Sequence, residues 1–167
     1  MTAQPKLKPA LMHIDGKWEA SADGRFIPVE NPAKKGTVIA EVPRAGAADV
    51  DRAVRAAAKA FRDWKNVPPR ERGRLLMRIA DAMEADVEPL ARLIATETGN
   101  ALRTQSRPEA KGAADLFRYF GGLASELKGE TVPLGEHVLS YTRREPIGVV
   151  GAVIPWNSPV ALGAMKV

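Results

Sequence analysis

The segment from Ile147 to Ile154 constrains this chain most. It is apolar along nearly its whole length and carries no charge. That pattern is expected of a strand buried on both faces of a parallel sheet. A strand of this kind needs neighbours on both sides and helices on both faces. No other segment of the 167 residues is a convincing parallel partner. The run passes into Pro155-Trp156-Asn157-Ser158-Pro159 and the start of a helix from Val160 to Val167. Read this way, the sequence is cut rather than finished.

Upstream, the patterning changes twice. Residues 1–11 contain Pro and Lys and read as a mobile tail. Asp15-Gly16 between Ile14 and Trp18 is a tight hairpin turn, because Gly tolerates positive φ. Phe26–Val29 and Thr37–Ala40 read as strands, with Asn31-Pro32 turning the chain between them. Then Val50, Ala53, Val54, Ala57, Phe61 and Trp64 recur at helical spacing and form one apolar stripe. Pro68-Pro69 ends that helix and opens a second with Leu75, Leu76, Ile79, Ala80 and Met83. Asp86 is the expected cap of a third helix, carrying Leu90, Leu93 and Ile94 and stopping at Gly99. Ser106-Arg107-Pro108-Glu109 fits a capping box for a fourth helix, running to about Leu127. Leu134 to Glu145 alternates as a β-ribbon, with Val138, Ser140 and Thr142 on one face.

Composition narrows the chemistry. There is no cysteine, which excludes disulfides, thiolate metal sites and a cysteine nucleophile within these residues. The two histidines, His13 and His137, have no partner pattern for metal binding or catalysis. The net charge of +5 suggests an anionic partner only in bulk. Its basic residues stand beside acids, as in Arg62-Asp63 and Arg70-Glu71-Arg72, and the aromatic spacing of a nucleic-acid surface is missing. The N-terminus lacks the apolar stretch of a signal peptide, and the longest apolar run is roughly half of the ~20 residues a membrane helix needs. The expectation is a cytoplasmic chain with no membrane or nucleic-acid partner.

Thr142 to Gly151, followed by Ile154-Pro155-Trp156-Asn157, resembles the first strand of the cofactor domain in the NAD(P)-dependent aldehyde dehydrogenase superfamily. Other similar pieces occur in the family's order: Ile14 to Trp18, Asn31-Pro32-Ala33, Asp49 to Val54, Glu97 to Asn100 and Leu127 to Thr131. The resemblance covers residues 12–167 and implies an incomplete α/β fold. Residues 12–127 would be the N-terminal part of the cofactor-binding domain, and 128–147 an oligomerisation ribbon. Residues 148–167 would be the first strand and helix start of a Rossmann-like sheet. Full-length members are much longer than this chain. They oxidise an aldehyde to a carboxylic acid with NAD or NADP through a cysteine thiohemiacetal, while a glutamate activates water. Both of those groups would lie downstream, so the fragment is expected to be inactive alone and to form a homo-oligomer in full-length form.

The resemblance assigns roles by position. Asn157 would donate its side-chain N–H to the oxyanion that develops as the aldehyde is attacked, a contribution typically worth about 10²–10³ in rate. The alternative from the residue itself is that Asn157 caps the helix near Pro159. Ile154, Pro155 and Trp156 would line the nicotinamide-ribose side of the cofactor cleft, beyond the carboxyl end of the strand. The alternative for Trp156 is a place in the core. Lys166, nine residues after Asn157, would serve in a charge relay, against the alternative of a solvent-exposed helix lysine. Val29, Glu30 and Glu97 match positions that bind a monovalent cation in some members. Phe117 and Phe120 would contribute part of one wall of the aldehyde tunnel. Gly148-x-x-Gly151 precedes and occupies the strand, so it is not a dinucleotide fingerprint. A competing reading makes the chain an interaction module whose ribbon pairs with sheet edges of full-length subunits.

Overall fold

In the computed structural model, which describes residues 10–167, Asp15 and Gly16 both take positive φ, 50° and 77°. Their two-residue turn folds β1 (Met12–Ile14) back onto β2 (Lys17–Glu19). β3 (Phe26–Glu30) and β4 (Val38–Pro43) form a second antiparallel pair, with Phe26 opposite Pro43 and Val29 opposite Ala40. Between them the Asn31 side-chain oxygen accepts the Ala33 amide at 2.9 Å, which closes the predicted turn. Ala10, within the segment read as a tail, donates its amide to the Glu41 carbonyl at 3.1 Å. The rest of that expected tail, residues 1–9, lies outside the described residues.

The helices follow the predicted periodicity. α1 (Ala47–Trp64) begins at Gly46, which has no side chain to cap with. Asp49 compensates: its buried carboxylate accepts the amides of Gly46 and Ala22, each at 2.9 Å, and Arg52 Nη2 at 2.8 Å. The start of the helix is thereby tied to the loop after β2. α2 (Pro69–Ala85) opens on Pro69, as expected of a residue with no amide hydrogen to lose. α3 (Val87–Thr98) stops at Gly99 in the left-handed conformation, φ 78°. A π-helical turn (Leu102–Ser106) leads into α4 (Arg107–Leu123).

α2 and α4 pack along one another where Gly73 meets Gly121, so closely that a Cβ on Gly73 would stand 2.6 Å from the Gly121 carbonyl oxygen. Arg118 on α4 reinforces the pair through Asp81 at 2.9 Å and Glu84 at 2.5 Å. α3 packs against α4 through Ala91, Ile94 and Ala110, all buried. Val87, Leu90, Leu102 and Val160 close around this cluster.

Several local expectations are corrected. Ser106 does not cap α4: its backbone is helical (φ −67°, ψ −39°), whereas a capping residue is extended, and its hydroxyl donates to the Asn100 carbonyl at 3.3 Å. Asp86 stands at the junction of α2 and α3 but makes no side-chain cap bond. α4 ends at Leu123, short of Leu127, past the Gly121-Gly122 pair. The ribbon is narrower than its alternation predicts, β5 (Thr131–Pro133) pairing with β6 (Leu139–Tyr141). Val50, Val54 and Trp64 on the α1 stripe remain exposed.

The largest departure is at Ile147–Ile154, which forms no strand. All sheets among the described residues are two-stranded and antiparallel. A parallel strand takes its ladder bonds from a neighbouring strand, and no described segment supplies one. The run is instead open, with Ile147 92% exposed. α5 (Pro159–Ala164) follows.

Candidate functional site

Asn157 lies between the exposed run and α5. The helix cap position belongs to Ser158, not Asn157, and Pro159 occupies the first turn. The helix-cap alternative for Asn157 therefore fails. The first free amides of α5 are taken from outside the segment: one oxygen of Glu109, Oε1, accepts the amides of Val160 at 2.9 Å and Ala161 at 3.2 Å. The backbone carbonyl of Asn157 accepts from Asn100 Nδ2 at 3.0 Å. Val160 packs on the Ala91–Ile94–Ala110 cluster. α3, α4 and the turn between them thus hold the chain at Asn157 and just after it. Its carboxamide has no hydrogen-bond partner among the described residues and is exposed. Such a group is free to donate to an incoming oxyanion.

The frame behind this loop is braced by charge. Arg107, at the start of α4, donates to both carboxylate oxygens of Glu88 at 2.8 and 3.1 Å. The Arg107 guanidinium holds the Glu88 carboxyl below the usual glutamate range. Ser106, fully buried, ties the π-helical turn to the Asn100 carbonyl. Asn100 is therefore gripped by its own carbonyl while its side chain reaches Asn157.

Ile154 and Trp156 are exposed, and Pro155 is half-buried. Trp156 is 81% exposed and joins no core among the described residues. The three residues present an open apolar strip leading to Asn157. Lys166 is exposed just beyond α5, its amide donating to the Gly163 carbonyl at 3.0 Å. Val29 is half-buried in β3, and Glu30 accepts the Gly36 amide at 3.2 Å. Glu97 is exposed in the last turn of α3. The end of α3 adjoins the β3–β4 turn, since a Cβ on Gly99 would lie 3.0 Å from Pro32 Cγ. No group of three His, Cys, Asp or Glu side chains among the described residues could hold a metal ion. Phe117 is buried in the helical core, and Phe120 is exposed.

Two concavities lie elsewhere. One of about 740 Å³ runs between α2 and the end of α4 around Gly73 and Gly121. Another, of about 680 Å³, lies beside Trp64, Arg72 and Arg144. Neither includes Ile154–Asn157. No helix among the described residues is long and apolar enough to cross a membrane.

Sequence reasoning missed Glu109 and Asn100. A local capping box accounted for Glu109, and no periodicity links either residue to a segment more than 50 positions away.

Comparison with known proteins places this arrangement. The chain is 40% identical over 161 residues to an aldehyde dehydrogenase of Aspergillus niger, spanning 96% of this chain and 32% of that protein. The structure matches an NAD-dependent aldehyde dehydrogenase from Sinorhizobium meliloti with a TM-score of 0.90 and 36% identity, covering 98% of this chain and 34% of that one. It matches PnpE in complex with nicotinamide adenine dinucleotide with a TM-score of 0.88 and 40% identity, covering 94% and 32%. The chain thus spans about a third of the length of the relatives it matches. With a family model matching residues 18–167, this chain belongs to the aldehyde dehydrogenase family.

Proposed function

We propose that this chain supplies the N-terminal third of an enzyme that oxidises an aldehyde to a carboxylic acid with NAD(P)+, and that Asn157 stabilises the oxyanion in that reaction. The observation that carries the reading is the freedom of the Asn157 carboxamide: neighbouring groups satisfy the helix amides and its own carbonyl, leaving the side-chain N–H available. The nucleophile is a cysteine outside these residues, since none is present here. Its attack forms a thiohemiacetal whose oxygen gains negative charge, and a fixed N–H donor lowers that barrier. NAD(P)+, when bound, accepts the hydride. Ile154, Pro155 and Trp156 would offer its nicotinamide side an apolar wall, Lys166 a nearby positive charge, and Val29, Glu30 and Glu97 a monovalent-cation site. The 167 residues alone lack nucleophile and general base and turn over no aldehyde.

Two measurements test this. The mass of the native protein should be about three times 18.0 kDa, as the coverage of relatives implies. In that protein, Asn157→Ala should lower kcat by about 10²–10³ with KM little changed. Unaltered kcat would refute the oxyanion role. A second reading, a module that pairs with other subunits, draws on the two-stranded β5–β6 ribbon with its exposed Leu139 and Tyr141. A native species of 18.0 kDa that co-purifies with longer subunits would favour it.

A further inference from the structure

Nothing inside the loop 155–158 explains why Asn157 should stay in one place. Its one proline, Pro155, and Pro159 just after it restrict φ but supply no amide hydrogen. The preceding run has no ladder bonds, and the helix that follows has six residues with no side-chain cap of its own. A helix this short is marginal by itself. What holds the loop comes from α4 and from the residue after Gly99.

We propose that Glu109 and Asn100 are positioning residues for Asn157, one setting the helix start that follows it and the other its own carbonyl, so that its carboxamide N–H meets the reacting oxygen. The inference rests on the oxyanion role proposed above. Glu109 fixes the downstream side, one carboxylate oxygen accepting both the Val160 and Ala161 amides. Asn100 fixes Asn157 itself by donating to its carbonyl. These are backbone contacts, so they define where the chain runs whatever side chains it carries. Both anchors are themselves held: Asn100 by Ser106 and by its amide on Thr98 Oγ1 at 3.1 Å, and Glu109 by its place in the first turn of α4 beside the Arg107–Glu88 pair. The anchoring helices are the best-packed part of the molecule, so the loop inherits their rigidity. Neither side chain needs to touch substrate.

The chemistry predicts an unusual ranking of variants. Because a single oxygen of Glu109 accepts both bonds, Glu109→Gln retains an acceptor of the same shape and reach. Glu109→Ala removes it and leaves two amides without a partner. Asn100→Ala removes only the donor to the Asn157 carbonyl and leaves the backbone bonds of residue 100 in place.

The first test uses the native protein and amide hydrogen exchange at Val160 and Ala161. Exchange should speed at least tenfold in Glu109→Ala and stay within about threefold of the parent in Glu109→Gln. Equal exchange in parent and Glu109→Ala would overturn the proposal. The second test uses the native, active protein. Glu109→Ala and Asn100→Ala should lower kcat by about a hundredfold, the order of loss expected from misplacing a catalytic group by about 1 Å, with KM changed far less. Glu109→Gln should restore most of the rate. Should Glu109→Ala fail to fold, Asn100→Ala and Glu109→Gln carry the test: full activity in Asn100→Ala, or loss in Glu109→Gln equal to that of Asn157→Ala, would overturn the proposal. Failure of the oxyanion reading is distinct, because there Asn157→Ala itself leaves kcat unchanged while the exchange result stands.

Discussion

Two glycines show how differently the same residue is used within one helical layer. Gly73 on α2 stands where a Cβ would meet the Gly121 carbonyl oxygen at 2.6 Å and Ala124 Cβ at 3.1 Å. A backbone carbonyl in a packed helix cannot rotate away, so Gly73→Ala should push α2 off α4 and cost about 1–3 kcal/mol, the range for overpacking. Gly112 on α4 has nothing within 4 Å of its would-be Cβ. There Gly112→Ala removes only the backbone entropy penalty and should stabilise by about 0.5–1 kcal/mol. Urea unfolding of the two variants checks both signs, and a shared sign would contradict this account of the interface. Ile94, 1% exposed at the centre of the α3–α4 contact, should cost about 2–5 kcal/mol when cut to Ala in the same measurement. Because Val160 leans on that cluster, the cavity should also loosen the Asn157 loop.

At the scale of elements, the start of α1 depends on charge where the helices behind it depend on packing. The amide of Gly46, and then the Arg52 guanidinium, hold the Asp49 carboxyl below the ordinary aspartate range. In the loop before β3, the Arg25 amide first, then its guanidinium, draw Asp23 down from 3.8 to about 2. A carboxyl with a depressed folded pKa binds protons more readily when the chain unfolds. Its contribution is therefore present above the ordinary aspartate value and is lost as pH falls through the depressed one. The melting temperature should fall between pH 3.8 and about 2. Asp49→Asn should lower it at neutral pH and flatten the acid slope, as followed by circular dichroism against pH. An unchanged slope would mean that the bonds to Gly46 and Ala22 contribute nothing to stability.

At the scale of the molecule, apolar side chains lie open along one continuous stretch and on α1. Ile147, Val150, Val153 and Trp156 are exposed, as are Val50, Val54 and Trp64. Contiguous apolar surface of this kind marks a face meant to be covered. The 167-residue chain on its own should self-associate, its mass by light scattering rising with concentration. A monodisperse monomer with a cooperative melt would contradict this.

What was legible in the sequence was whatever depends on neighbours along the chain. The Asp15-Gly16 hairpin, the Pro69 and Gly99 boundaries and the helical periods follow from φ preferences and side-chain spacing, which local residues decide. The family was legible too, because its motifs stand in order and Asn157 sits within one of them. Tertiary structure decided what depends on distant partners. Ile147–Ile154 has no ladder among the described residues, since a strand's hydrogen bonds belong to its neighbours rather than to its own apolarity. The fold took Glu109 out of a local cap and set it on a helix 51 residues away. A carboxylate accepts whichever amide the fold brings within reach, and no local spacing encodes which one that is.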